Sequence, residues 1–481
     1  MDVMDLASRA IRGITARYGK KIRRDTLRPV IERNAPIAFG GEQWRLGFAK
    51  RELMPELNEG KTYYIAGHGS GHVMKDVATP VYVSAVWLDC GKDEGIVWIA
   101  ADIVGLTNVE VEVVRNRIRS SHVIRGCKNV IFSCSHSHSG IDTVGYWGKP
   151  FASIPADGKD RDYMEQLFSV SQTVAEDAYL CRKPGRLYSG KAKIPGGLFS
   201  KRITTDRHEV LSRLRFVDED RHETWMVNVG AHPNSLGGDN RSLSGEYPYY
   251  LREYIKEQCG ADVLFGIGAI GGMDAADFDE PDVWQRIRKQ GEFFAKAAIG
   301  IKEDEERELQ PEVRLLRRQF YLPVDNNVLA FLAILGTMSF TPYPDPNAAT
   351  GIAMKTEMTY MPLGDQKLLF LPGESFVPTV YGGYLPAEKS ATGQGEEVNP
   401  MPLAMICEDE NLTVYGVTND MTGYSVEPNN FILNPTQPYL NTATDRFGER
   451  HYHETNSMGP KTAYIIADTF RDVVEDFAAT K

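Results

Sequence analysis

The stretch GIVWIAADIVGLTNVEVEVVRNRIRSSHVIRGCKNVIFSCSHSHSG, residues 95–140, sets the reading of the whole chain. It opens on an apolar run, Gly95 to Leu106, with the composition of a buried strand. Residues 108–122 place apolar and charged side chains at helical spacing, with Asn108 as the expected cap. A second strand from Asn129 runs out into His136 and His138 and breaks at Gly140. Residues two apart in extended chain point to one side, so these histidines are expected to face the same way where the backbone leaves the sheet.

The same texture continues in both directions. TPVYVSAVWLD (79–89), ETWMVNVGAH (223–232), ADVLFGIGA (261–269), KLLFLPGES (367–375) and LTVYGVTND (412–420) read as strands. RDYMEQLFSVSQTVAEDAYL (161–180) reads as a helix with Tyr163, Leu167, Val170 and Val174 on one face. GEYPYYLREYIKEQCG (245–260) reads as a helix closed by Gly260. Interleaved strands and helices without repeats or linkers predict an α/β fold. We expect layered mixed β-sheets flanked by helices, in one large catalytic domain spanning residues 41–481. Residues 1–40 form a basic helical N-terminal extension, with Leu6, Ile11, Ile14 and Tyr18 at helical spacing. That arm can pack on the acidic body. It also leaves open a peripheral contact with an acidic partner or membrane surface, or a homo-oligomer.

The chain has 481 residues, 42% hydrophobic and 25% charged, as in globular proteins that bury a large core. A net charge of -11 excludes the broad basic face of a nucleic-acid binder. No apolar run is long enough for a spanning helix. The opening MDVMDLASRA carries acid where a secretory signal carries base, so a cytoplasmic location is expected. The six cysteines form no CxxC pair and are expected to be free and mostly buried.

Two further strands end in metal-ligating side chains: ETWMVNVGAH at His232 and KLLFLPGES at Glu374. A third strand, LTVYGVTND, reaches Tyr424 through a glycine turn. Two nitrogens and a carboxylate oxygen are a common set for catalytic zinc, which keeps a position open for water. Singly, Glu374 also reads as a helix cap and His232 as a loop residue before Pro233. Periodicity leaves open whether these exits converge.

The ordered set WRLGFAKRELMP, ADIVGL, NVIFSCSHSHSG, FSKRITT, VGAHPNS, GGMD, LPGES, NDMTGY and YHETNSMGP resembles the neutral ceramidase family of zinc-dependent amidases. The resemblance runs from about Trp44 to the C-terminus. It implies Zn2+ held by His136, His232, Glu374 and Tyr424. It implies His138 as a non-ligand that handles the proton of a metal-activated water. Arg202 and Tyr452 fall on substrate-contacting positions and would donate to the developing oxyanion. The activity implied is cleavage of a C–N amide bond in a small-molecule N-acyl substrate.

Three departures bear on the substrate. Asp274, in GGMDAADFDE, stands where the family has a serine. A pocket carboxylate would favour a polar or cationic group over two long alkyl chains. GHGSGH replaces a family methionine-glycine-tyrosine stretch; it reads either as a pocket wall, with His68 binding substrate and His72 beside it, or as a glycine-rich turn whose histidines are incidental. The family's C-terminal β-sandwich domain is expected to be missing. The substrate class is therefore a small polar or amphiphilic N-acyl molecule. An esterase or lactonase using the same site remains an alternative, as does a metal-containing binding protein that lost turnover through Asp274.

Overall fold

Strands Gly95–Ala101 and Cys127–Cys134 lie parallel and adjacent, joined through helix Asn108–Arg119. The computed structural model describes residues 3–58, 60–150, 155–202 and 207–480. Alternation along Gly95–Ala101 divides its side chains between two cores. Ile96, Trp98 and Ala100 enter one, and Val97, Ile99 and Ala101 the other. Residues 102–107 leave the sheet as a buried loop, so the strand is shorter than the apolar run that announces it. The helix begins at its expected cap, one residue earlier than that cap would place it. Thr107 is the cap residue, while the Asn108 N–H donates to Asp420 Oδ1 at 3.0 Å.

Among the described residues, the larger sheet has nine strands. Its path runs Asp262–Ile267, Glu223–Val229, Val210–Asp218, Lys183–Lys193, Trp44–Glu52, Tyr82–Asp89, Gly95–Ala101 and Cys127–Cys134, with Arg307–Leu309 beside Lys183–Lys193. Pairing is parallel at both ends of that path and antiparallel between, which makes the sheet mixed. The second sheet runs Ile37–Gly40, Glu312–Pro323, Ile352–Leu363, Gln366–Phe370 and Thr413–Tyr415, with Pro342–Pro344 beside Ile352–Leu363.

The two sheets stack face to face. The Trp98 ring meets Phe370 and Tyr415 edge-on at 5.0 and 4.7 Å, inside a core drawn from both sheets. Helix Arg161–Leu180 covers the outer face of the larger sheet, burying Tyr163, Leu167 and Val174. Helices Glu246–Cys259 and Val283–Ile299 pack on each other beside it. Helix Thr462–Ala479 covers the second sheet, with Phe470 and Phe477 against Tyr360. The result is a mixed α/β single domain of helix, sheet, sheet and helix layers.

Helix Val3–Asp25 lies on this body. It buries Ser8, Ile11 and Thr15, and Asp5 accepts a hydrogen bond from Gln437 at 2.9 Å. Strand Ile37–Gly40, at the end of the N-terminal segment, pairs antiparallel with Glu312–Pro323. All six cysteines are free, and Cys90, Cys134 and Cys407 are buried. No described helix is long and apolar enough to cross a membrane.

Candidate metal centre

The site lies where the strands run out of the sheets. Strand Cys127–Cys134 stops two residues before His136, whose φ of +62° turns the backbone into the left-handed region. Strand alternation therefore does not align His136 and His138, contrary to the sequence expectation. A tight turn beyond the sheet brings their Nε2 atoms to 3.1 Å. His232 follows strand Glu223–Val229, and its N–H donates to Met273 O at 3.0 Å. Glu374 and Tyr424 face each other as register partners in a two-residue parallel ladder. Gly373, at φ +65°, permits that ladder. A Cβ there would sit 2.3 Å from Gly423 O.

These four loops converge. One ring nitrogen from each of His136, His138 and His232 lies within 4.8 Å of the other two, and all three residues are buried. Glu374 Oε2 is 2.8 Å from His232 Nε2 and 3.5 Å from His136 Nε2. Tyr424 stands beside Glu374 in the ladder, and its ring lies edge-on to Tyr452, 6.4 Å between centroids.

Backbone carbonyls settle the tautomers of two histidines. His136 Nδ1 is 2.6 Å from Val104 O, and His232 Nδ1 is 2.8 Å from Met273 O. A carbonyl only accepts, so each Nδ1 carries a hydrogen, and either ring in its neutral form turns a bare Nε2 inward. Two nitrogen lone pairs and a carboxylate oxygen thus point at one focus, an arrangement that calls for a cation or proton between them. Outer carbonyls orienting metal-binding imidazoles in this way are the usual support of a metal site. The donor set fits a divalent cation such as zinc.

The electrostatics follow from burial and these neighbours. Burial, then the charges of His136 and His232, hold His138 well below the usual imidazole range. Burial also opposes charge on His232, but the Glu374 carboxylate outweighs it and raises that imidazole. Burial would raise Glu374, yet the facing histidines pull it well below the usual carboxylate range. Burial and then Glu374 push the Tyr424 phenol up.

A cavity of about 590 Å³ opens over this focus. His68, His138, Lys201, Asn234, Tyr424 and Tyr452 supply polar wall. Val144, Trp147, Leu329, Met338, Met421 and Met458 supply apolar wall. The buried Asp142 carboxylate shapes one side of it. It accepts backbone N–H bonds from Val144, Gly145, Tyr146, Trp147 and Gly158 at 2.8–3.1 Å. Trp147 Nε1 then donates to His68 O at 2.7 Å. The His68 ring stands edge-on to His138, 5.1 Å between centroids.

Three residues expected in the cavity, His72, Asp274 and Arg202, are not on its wall. Asp274 lies just behind it. Its Oδ2 meets Lys201 Nζ at 2.7 Å and its Oδ1 accepts from Asn234 Nδ2 at 2.9 Å. The cavity therefore presents the lysine and not the carboxylate, and the expected preference for a cationic substrate loses its basis. Arg202 is buried beyond Tyr452. It donates to Glu454 Oε2 at 2.6 Å, His453 Nδ1 at 3.1 Å and Asn430 O at 3.2 Å. With all three guanidinium nitrogens engaged, Arg202 supports the His453 ring, which stacks on Tyr452 at 3.9 Å. Residues 203–205, the end of the FSKRITT stretch, lie outside the described residues.

Sequence reading missed Lys201 and Asn234, although both sit inside quoted stretches. Lys201 and Arg202 lie in a bend after strand Leu198–Ser200, where alternation no longer says which side chain faces the cavity.

No family model and no curated protein matches the chain. Solved structures match its fold. Neutral ceramidase from Pseudomonas aeruginosa superposes with a TM-score of 0.67 at 14% identity, over 91% of this chain and 75% of that one. A ceramidase complexed with C2 gives a TM-score of 0.65 at 14% identity, over 91% of this chain and 76% of that one. Likeness at this identity establishes a shared fold.

Proposed function

We propose that the protein is a metal-dependent hydrolase that cleaves the C–N amide bond of a small polar or amphiphilic N-acyl substrate. His136, His232, Glu374 and Tyr424 would hold Zn2+. The observation that carries this reading is the pair of carbonyl-pinned imidazoles turning bare Nε2 atoms onto Glu374. The ceramidase fold of the structural neighbours supports the choice of an amide. When bound, a divalent cation supplies Lewis acidity and brings the pKa of a water down to about 7.

The protein's own groups do the rest. Burial and the neighbouring histidines keep His138 neutral, which leaves a lone pair on one ring nitrogen. Its Nδ1 is buried without a hydrogen-bond partner among the described residues, whereas carbonyls hold the Nδ1 of His136 and His232. An imidazole nitrogen left without a partner suits relay toward the leaving amine. Tyr452 lines the cavity beside Tyr424 and would donate to negative charge developing on the carbonyl oxygen. Such a donor is typically worth about 3 kcal/mol in the transition state. Arg202 holds the His453 and Tyr452 pair in place, and Asp274 holds Lys201. His68 Nε2 is buried without a hydrogen-bond partner among the described residues and would accept from the substrate's polar part. The apolar wall takes an acyl chain.

Elemental analysis followed by a panel of N-acyl amides, esters and lactones, each with and without chelator, tests this. Chelator-sensitive amide cleavage is expected. Metal with cleavage of esters or lactones alone rejects the amidase version, because the same donors serve those bonds. Metal without any turnover favours a binding protein. Absence of metal from protein refolded with zinc rejects the site.

A further inference from the structure

The Lys201 ammonium lines the cavity, and its partner carboxylate does not. Asp274 spends one oxygen on Lys201 and the other on Asn234, so both oxygens are held within the wall. An ammonium has three N–H donors, and Asp274 takes one of them. Lys201 lines the same cavity as His68, His136, His138 and His232. Lys201 therefore stands beside the reacting centre, on the polar wall that faces a substrate whose chain lies on the apolar one. Its side chain is 34% exposed, so a ligand can reach it.

We propose that Lys201 sets specificity by selecting substrates that carry an anionic group, such as a carboxylate or sulfonate, on the amine side of the scissile amide. The preferred class is then an N-acyl amino acid or N-acyl aminosulfonate, and not a neutral N-acyl amino alcohol. This rests on the amide-hydrolase reading for the identity of the bond, but the charge preference is a property of the cavity wall alone. A charged donor meeting a carboxylate in a partly enclosed site discriminates by about tenfold or more over a neutral group.

Two measurements test it. The first compares kcat/KM of the zinc-loaded protein for N-dodecanoylglycine, N-dodecanoylethanolamine and N-dodecanoylethylenediamine. The anionic amide is expected to lead by about tenfold or more. The second needs no turnover. It measures binding of two uncleavable ethers, dodecyloxyacetate and 2-(dodecyloxy)ethanol, to the metal-free protein by calorimetry, which also removes any pull of the metal on the carboxylate. The anionic ether is expected to bind about tenfold tighter or more. Both preferences should collapse to within about threefold in the double variant Lys201→Met with Asp274→Asn, which removes the ion pair without stranding a carboxylate. Lys201→Arg should restore the sign of the preference. A neutral or cationic preference, or an anionic one that survives in the double variant, overturns the inference even if amides are cleaved. Retained ether discrimination with no amide cleaved overturns the hydrolase reading and leaves the anion site standing.

Discussion

Replacing Gly67 by alanine asks whether the close seating of the His68 loop on His138 is as tight as the structure says. Gly67 has φ +97°, and a Cβ built on it would lie 2.4 Å from His138 Cγ and 2.6 Å from His138 Cα. Carbon atoms in contact normally sit about 3.5–4.0 Å apart, so the overlap exceeds about 1 Å. Because the backbone of residue 138 is among the atoms struck, a rotamer change cannot relieve it. The positive φ costs an L-residue about 1–3 kcal/mol, and overpacking costs about as much again. Together the destabilisation is about 2–6 kcal/mol. A shift of about 1 Å in a group that must reach a proton costs roughly 10²-fold in rate. Urea unfolding gives the first number, and kcat/KM of the zinc-loaded variant gives the second. If His138 is a relay and not a ligand, zinc stoichiometry stays at the wild-type value while turnover falls. Wild-type stability and turnover in Gly67→Ala would refute the packing argument. Loss of zinc in step with turnover would refute the non-ligand role.

Three other predictions bear on the same architecture. Chelation should lower thermal stability and zinc should restore it, by about 4 kcal/mol when zinc is a thousandfold above Kd; identical melting with and without metal would reject a folded-state site. Arg202→Met leaves the buried Glu454 carboxylate without its cation, so urea unfolding should show a loss of about 3–5 kcal/mol. Unchanged stability with only KM raised would instead place Arg202 on the substrate. Glu246, buried between Ser139 and Ser235, is pushed up to about 7 by that burial. The folded state then holds this proton more tightly than the unfolded chain. Its stabilising share is full below about pH 4.5 and is lost as pH rises through about 7, a swing of about 3 kcal/mol. The unfolding free energy of wild type minus that of Glu246→Gln, measured in chelator from pH 4 to 8, should fall by that amount; a flat difference removes the premise.

Much of the site was legible because its residues stand at the ends of apolar runs. His136, His232 and Glu374 each follow a recognisable strand, and strand ends are where layered α/β folds place ligands. Other parts were legible in type but not in direction. The pairing of His136 with His138 was expected from strand alternation, whereas a left-handed residue beyond the strand end produces it. Arg202 was legible as a cation near the site, yet its bonds to Glu454 and His453 turn it into support for Tyr452. Asp274 was legible as a charge beside the cavity, but Lys201 covers it. Each of these outcomes depends on a partner more than seventy residues away in sequence, or on one backbone torsion, and periodicity records neither.

Composition, alternation and helix punctuation were enough to specify layered mixed sheets with helices outside them, because strand and helix periods and buried faces are local properties written every few residues. Convergence of His136, His232, Glu374 and Tyr424 on one focus is not local. It follows from which strands neighbour which, from a two-residue ladder that sets Glu374 against Tyr424, and from carbonyls of Val104 and Met273 that turn two imidazoles inward. The sign of the charge shown to a ligand was likewise settled by packing, since a carboxylate and an ammonium 2.7 Å apart present whichever of the two the fold leaves facing the cavity.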